Sequence, residues 1–295
     1  MFGKKNITIF VLLILLFSIG CTSIPVKKYE LLTKSSQSIM NGTTETYNRI
    51  EKLQHIFSIE TADDGQIDAN TFQPKIEIEE WKFESFDLTP ELRFRETALE
   101  VLVKYSLVLE AFTKEDFQGE VNKASIELAG SLKSLAETTA PNDASKTQAV
   151  SVLATLVNVI GTQIVVHKQK EALKNVMDLA QNDLNVLATL INGSNGKLKQ
   201  AVGIHLDRII RHRNTRRPPV NSIERYNFDL AVSNLISEGI EVKDALDTLS
   251  NAVKEYSLAH QEIRQKLDVS GTSIEALTAL ISEAQRINKF YRSVK

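Results

Sequence analysis

The stretch Phe228–Leu267, FDLAVSNLISEGIEVKDALDTLSNAVKEYSLAHQEIRQKL, decides the fold. Phe228, Leu235, Val242, Leu249, Tyr256 and Ile263 recur every seven residues. Val232, Gly239, Leu246, Val253, His260 and Leu267 repeat the pattern four places on. Ala231, Ala245, Ala252 and Ala259 make a third row, interrupted by Glu238. Three apolar positions in seven is the face of a helix in a multi-helix bundle, because a two-stranded seam uses only two. Forty residues of helix span roughly 60 Å. The small Ala row lets a neighbouring helix approach closely.

Helical spacing continues on both sides of this stretch. Tyr29 to Phe57 predicts one helix, with Gly42 as its weak point. Thr89-Pro90 predicts a helix start, with a capping hydroxyl followed by Pro at the first helical position. Leu92 to Leu109 and Ile126 to Leu135 follow, with a break between them near Asp116–Gly119. The 20 residues from Thr147 to Val166 carry no charge, which a central helix buried on most sides of the bundle explains, and the pattern predicts a helix running on through Leu173 and Met177 to Ile191. Asn192–Gly196 breaks it, Leu198 to Arg211 is helical again, and Pro218-Pro219 ends that unit. After Ser270-Gly271, Thr272 and Glu275 form a capping box for a last amphipathic helix.

One segment departs from the helical pattern. Residues 61–89 hold eight acids against Lys75 and Lys82, with Ile76, Ile78, Trp81, Phe83 and Phe86 interleaved. Alternation of this kind predicts an acidic extended strap laid over a helical surface. The expected fold is therefore all-α, an elongated multi-helix bundle spanning 29–295 with one acidic strap.

Composition agrees. Gly and Pro together make about 6% of the 295 residues, which favours long helices over many turns. A formal net charge of −2 gives no whole-chain case for nucleic acid. The single Cys excludes an internal disulfide, and a Cys-based zinc or iron–sulfur site would lack ligands.

That Cys lies at a particular place. Lys4 and Lys5 precede the apolar run Ile7–Ile19, then Gly20 and Cys21. A basic start, an apolar core of this length and a small residue at its end form a secretory signal. As a helix, Ile7–Gly20 reaches roughly 21 Å, short of a bilayer core of roughly 30 Å. Ser18-Ile19-Gly20-Cys21 resembles the lipobox of bacterial lipoprotein precursors, with Ser18 where an aliphatic residue is commoner. The resemblance covers the first 21 or so residues only. It implies cleavage after Gly20, a diacylglycerol on Cys21 and a lipidated tether over 21–28. It also implies an exported chain held in the cell envelope, at the outer membrane of a Gram-negative cell because Thr22 and not Asp follows the Cys. Acyl chains bury methylenes at roughly 0.8 kcal/mol each, so two or three anchor stably. An uncleaved signal anchor, stretching the apolar run to Ile24, is the alternative.

Catalytic patterns are sparse. Gly193–Leu198 lacks the glycine gap and the hydroxyl of a phosphate loop, and no GxSxG, HExxH or CxxCH occurs. Glu51 and His55 occur as a single pair, whereas a di-iron bundle needs two Glu-x-x-His pairs. His260 reads as a packing residue, and Glu77, Glu79 and Glu80 as a wet face. No enzyme activity, metal or cofactor is implied. The notable polar feature is basic: Lys197, Lys199, Arg208, Arg211, Arg213, Arg216 and Arg217 stand against Asp207. The readings of this cluster are a solvated helix end, docking against the acidic strap, or contact with anionic lipid, an acidic envelope polymer or an acidic partner. The expectation is a non-enzymatic scaffold, with Cys21 as anchor and Arg208, Arg211, Arg213, Arg216 and Arg217 as contact patch. Its partners would be the membrane and an envelope protein or anionic surface, with a homo-oligomer compatible. The alternative is a membrane-active protein, similar to helical pore-forming toxins in its long helices alone, that inserts the 147–166 helix.

Overall fold

In the computed structural model the described residues are 24–62, 88–138, 144–193, 195–267 and 274–292. They form eight helices and, among the described residues, no strand. These are α1 (Val26–Ala62), α2 (Thr89–Ala111), α3 (Phe117–Glu137), α4 (Ala144–Val166), α5 (Gln169–Gly193), α6 (Asn195–Thr215), α7 (Ile223–Gln265) and α8 (Glu275–Arg292). The fold is the all-α multi-helix bundle that the periodicity predicts. The signal segment 1–20, Cys21, positions 63–87 of the strap and Thr272 of the capping box lie outside the described residues.

α7 organises the bundle. It packs on α1, α5, α6 and α8, and α1 also receives α2, α6 and α8. Cross-contacts fix the directions. Arg49 pairs with Glu241 at 2.9 Å and Lys52 with Glu238 at 3.4 Å, so α1 runs antiparallel to α7. Ser257 donates to Asn185 at 2.6 Å and Asn192 to the Ser250 carbonyl at 3.3 Å, so α5 is antiparallel too. Lys199 reaches Asp247 at 2.5 Å, and α6 thereby continues α5 end to end along the same helix.

The predicted rows of α7 form its inner face. Leu235, Val242, Leu249, Tyr256 and Ile263 are buried, as are Gly239, Leu246, Val253, His260 and Leu267. Each fully buried Leu or Ile contributes about 1.5–3 kcal/mol. Gly239 is the closest approach of α6: a methyl there would sit 1.9 Å from Leu206 Cδ1. Phe228 and Val232, the first members of their rows, are only half-buried, because fewer helices flank α7 at that end.

Four local expectations are corrected. The helix expected to run from Thr147 to Ile191 is two helices, separated at His167-Lys168. Gln169 Nε2 donates there to the Phe112 and Lys114 carbonyls at 2.7 and 2.8 Å, tying the corner to the end of α2. The fold-back buries Ile160 and Ile164 of α4 together with Leu173 and Val176 of α5. Second, α4 is an edge helix and not a central one. It touches α3 and α5 and leaves Ser151, Asn158, Thr162 and Val165 exposed. Among the described residues, no helix is long and apolar enough to cross a membrane. Third, Leu88 and not Thr89 caps α2, without a side-chain bond; its own N–H donates to Gln54 Oε1 at 3.2 Å. Fourth, α1 begins at Val26, directly after Pro25, which shortens the predicted tether; it also passes Gly42 unbroken, with Thr46 Oγ1 donating to the Gly42 carbonyl.

The interior carries two polar networks. In the first, Arg95 of α2 is fully buried. Its Nε donates to Glu91 at 2.9 Å, and one terminal nitrogen donates to Asn195 Oδ1 at the start of α6. Glu91 also accepts from Lys146 of α4 at 2.6 Å, and Asn195 Nδ2 donates to Ser250 Oγ of α7 at 2.6 Å. In the second, His260 sits between Tyr105 and Gln181. Gln181 presents its acceptor oxygen at 2.8 Å, so His260 Nδ1 carries the proton and Nε2 accepts from the Tyr105 hydroxyl at 2.8 Å.

Candidate interaction surface at the distal end

The basic cluster lies where α6 turns into α7. Thr215 Oγ1 donates to the His212 carbonyl at 2.7 Å and the Arg216 N–H to the Arg213 carbonyl at 3.0 Å, closing the last turn of α6. Pro218-Pro219 cannot continue the helix. Asn221 has a φ of 71°, in the left-handed region that Asn tolerates better than most residues. Ser222 then caps α7, accepting from the Arg225 N–H at 3.1 Å and donating to the Pro219 carbonyl at 3.1 Å.

Charge at the turn is organised around Asp229. Arg217 and Arg225 each donate to it at 2.9 Å, and Arg225 also donates to the Pro218 carbonyl at 3.1 Å. The two guanidiniums, Arg225 first, hold the Asp229 carboxyl below the usual carboxylate range. Arg211 bonds Asp207 one turn back at 2.8 Å. Arg211, Arg216 and Arg217 are exposed and Arg213 is half-buried. Arg208 departs from this group. It lies 5.7 Å over the Phe57 ring, whose other neighbour is the stacked His205 ring at 4.9 Å. That side chain joins α6 to the end of α1.

Sequence reasoning missed the apolar half of the surface. Val220, Ile223 and Tyr226 are 76%, 75% and 68% exposed, and Leu230 is exposed behind them. Ile223, Tyr226 and Leu230 follow a three-then-four spacing on the side of α7 away from its buried rows. Had the spacing been counted from Ile223 as well as from Phe228, this second, outward stripe would have been legible.

The position of this hairpin in the bundle matters more than its composition. The pairs Arg49–Glu241 and Lys52–Glu238 set α1 and α7 in register, so Lys27 lies near the level of Ile263. Ile263 and Ile223 are 40 residues apart on one helix, about 60 Å. The start of α1 and the hairpin therefore occupy opposite ends of the bundle. Ile24 packs against the core, and three residues of chain from it to Cys21 reach about 10 Å.

Other features offer less. The cleft between α7 and α8, about 450 Å³ and open to solvent, is lined by Glu255, Glu262 and Glu275. Glu262 is engaged there by Lys266 at 2.5 Å and by the Ala276 N–H at 2.9 Å, as a cap on α8. Among the described residues, no group of three or more His, Cys, Asp and Glu is placed to hold a metal ion. His55 is exposed and Glu51 half-buried on α1. No protein-family model, curated protein or solved structure matches this chain.

Proposed function

We propose that this protein is a lipid-anchored envelope spacer and scaffold. An acylated Cys21 holds one end of the bundle at a membrane, and the α6–α7 hairpin meets a partner at the other. The observation that carries this reading is the placement of the two ends, about 60 Å apart along α7. The signal-like N-terminus, the lone Cys after Gly20 and the basic, apolar hairpin support it. A long antiparallel bundle, cross-tied by Arg95 and Asn195, is stiff enough to keep those ends apart.

The test is cell fractionation with whole-cell cross-linking. Cys21→Ser is expected to abolish the lipid mass increment and to let a high-salt wash release the chain from membranes. The triple variant Arg213→Glu, Arg216→Glu, Arg217→Glu is expected to stay anchored and lose its cross-linked partners. Retention of Cys21→Ser through the high-salt wash, at the mass of the parent chain, would overturn the anchor. Unaltered cross-links in the triple variant would overturn the contact role.

A further inference from the structure

We infer that the hairpin tip is a docking site for an anionic lipid bilayer, with Val220, Ile223 and Tyr226 entering the headgroup region and Arg211, Arg213 and Arg216 meeting lipid phosphates. The inference rests on the hairpin being the contact end, and is independent of the lipid on Cys21.

Exposure is the first argument. Val220, Ile223 and Tyr226 stand out at the turn between α6 and α7, more than two thirds exposed each. A protein partner would need a matching hollow to bury them, whereas a fluid bilayer accommodates a protrusion without one. Tyr suits this place because its ring is apolar and its hydroxyl remains at the wet boundary.

Charge is the second. Residues 207–229 carry six Arg against Asp207, Glu224 and Asp229, net +3, while the whole chain carries −2. The rest of the chain is therefore net −5, so the turn is positive against a negative whole. Asp229 is shared by Arg217 and Arg225, so that group of three stays net positive. Guanidinium groups bind phosphate oxygens in pairs, and clustered basic residues are drawn to anionic headgroups. Charge and apolar contact coincide at one turn, the combination that interfacial segments use.

The experiment uses the chain from Thr22 to Lys295, which contains every described helix, in flotation with phosphatidylcholine vesicles. The expected result is binding only when phosphatidylglycerol is included, weakening as salt is raised. Combining Arg211→Glu, Arg213→Glu and Arg216→Glu is expected to weaken binding by roughly 100-fold or more. Ile223→Ser with Tyr226→Ser is expected to weaken it by roughly 10-fold or more. Both variants should keep the helical circular dichroism of the parent. Equal binding to neutral vesicles, or full binding by the charge-reversed chain, overturns the inference. So does absence of binding together with tip cross-links to residues 63–87 or to a second copy, which would name the true occupant. If binding is absent yet charge reversal still removes whole-cell cross-links, the bilayer is wrong and the spacer stands. If binding is absent and those cross-links persist, both are wrong.

Discussion

Replacing Arg95 by Ala is expected to destabilise the bundle by about 3–5 kcal/mol, a large part of the stability of an ordinary domain. Arg95 is 0% exposed and joins Glu91 of its own helix to Asn195 of α6. Truncation leaves an interior void and strands the Asn195 carbonyl oxygen without its donor. Glu91 keeps Lys146, so the loss falls mainly on the α2–α6 side of the network. Arg95→Met fills most of the volume without a charge, and its expected cost is smaller, about 1–2 kcal/mol. Asn195 is the first residue of α6, and the network sits at the base of the hairpin. Local hydrogen exchange in α6 should accelerate before the rest of the bundle opens. Urea unfolding of the two variants checks this. A loss below about 1 kcal/mol in Arg95→Ala would mean that the buried network contributes nothing to stability.

Acidification is the second large effect. Burial pushes the His260 imidazole down to about 3 and, with Arg208 nearby, His205 down to about 4. Both are neutral in the folded chain. Below the usual His value of about 6.5 the unfolded chain binds protons that the folded chain refuses, so stability falls as pH falls. Desolvation acts oppositely on Asp183 of α5, raising its carboxyl to about 6. The folded state binds that proton first, so Asp183 adds stability as pH falls from about 6 towards its unfolded value of about 3.9. At pH 4 the two histidines together cost roughly 6 kcal/mol and Asp183 returns about 2, leaving a net loss of about 4 kcal/mol relative to pH 7. The loss should begin near pH 6.5, above the range where ordinary carboxylates titrate. Denaturation midpoints across this range, with NMR titration of the imidazole protons, test it. A flat stability between pH 6.5 and 4.5, or imidazoles titrating near 6.5, would contradict the assignment.

Much of the fold was legible because the information was local. The seven-residue rows of α7 needed only counting, and Leu246, Val253 and Ile263 are buried as those rows require. The basic cluster was visible as a run of charges, and Pro218-Pro219 marked the turn. What stayed hidden depends on partners distant in sequence. Arg95 lies three after Leu92 and four before Leu99, so helical spacing puts it on the buried face and Arg93 on the exposed one. What spacing cannot show is the partner that satisfies a buried guanidinium, Asn195, 100 residues away. The corner at His167-Lys168 has no Gly or Pro to announce it; Gln169 and the end of α2 make it. Arg208 looked like part of the basic patch until α1 brought Phe57 beneath it. The separation of the two ends is a property of topology, since no sequence pattern states that α1 and α7 are antiparallel in this register.

That separation is the centre of the account, and one distance tests it. Spin labels on cysteines introduced at Lys27 and Arg216, in a chain with Cys21→Ser, report it by double electron–electron resonance. Both positions are exposed, and neither contributes to the core. Arg216 lies near the level of Asp229, so a single population centred at about 50 Å is expected, unchanged on membranes. A population below about 35 Å would place the anchor and the hairpin at one end, and the spacer reading would fall.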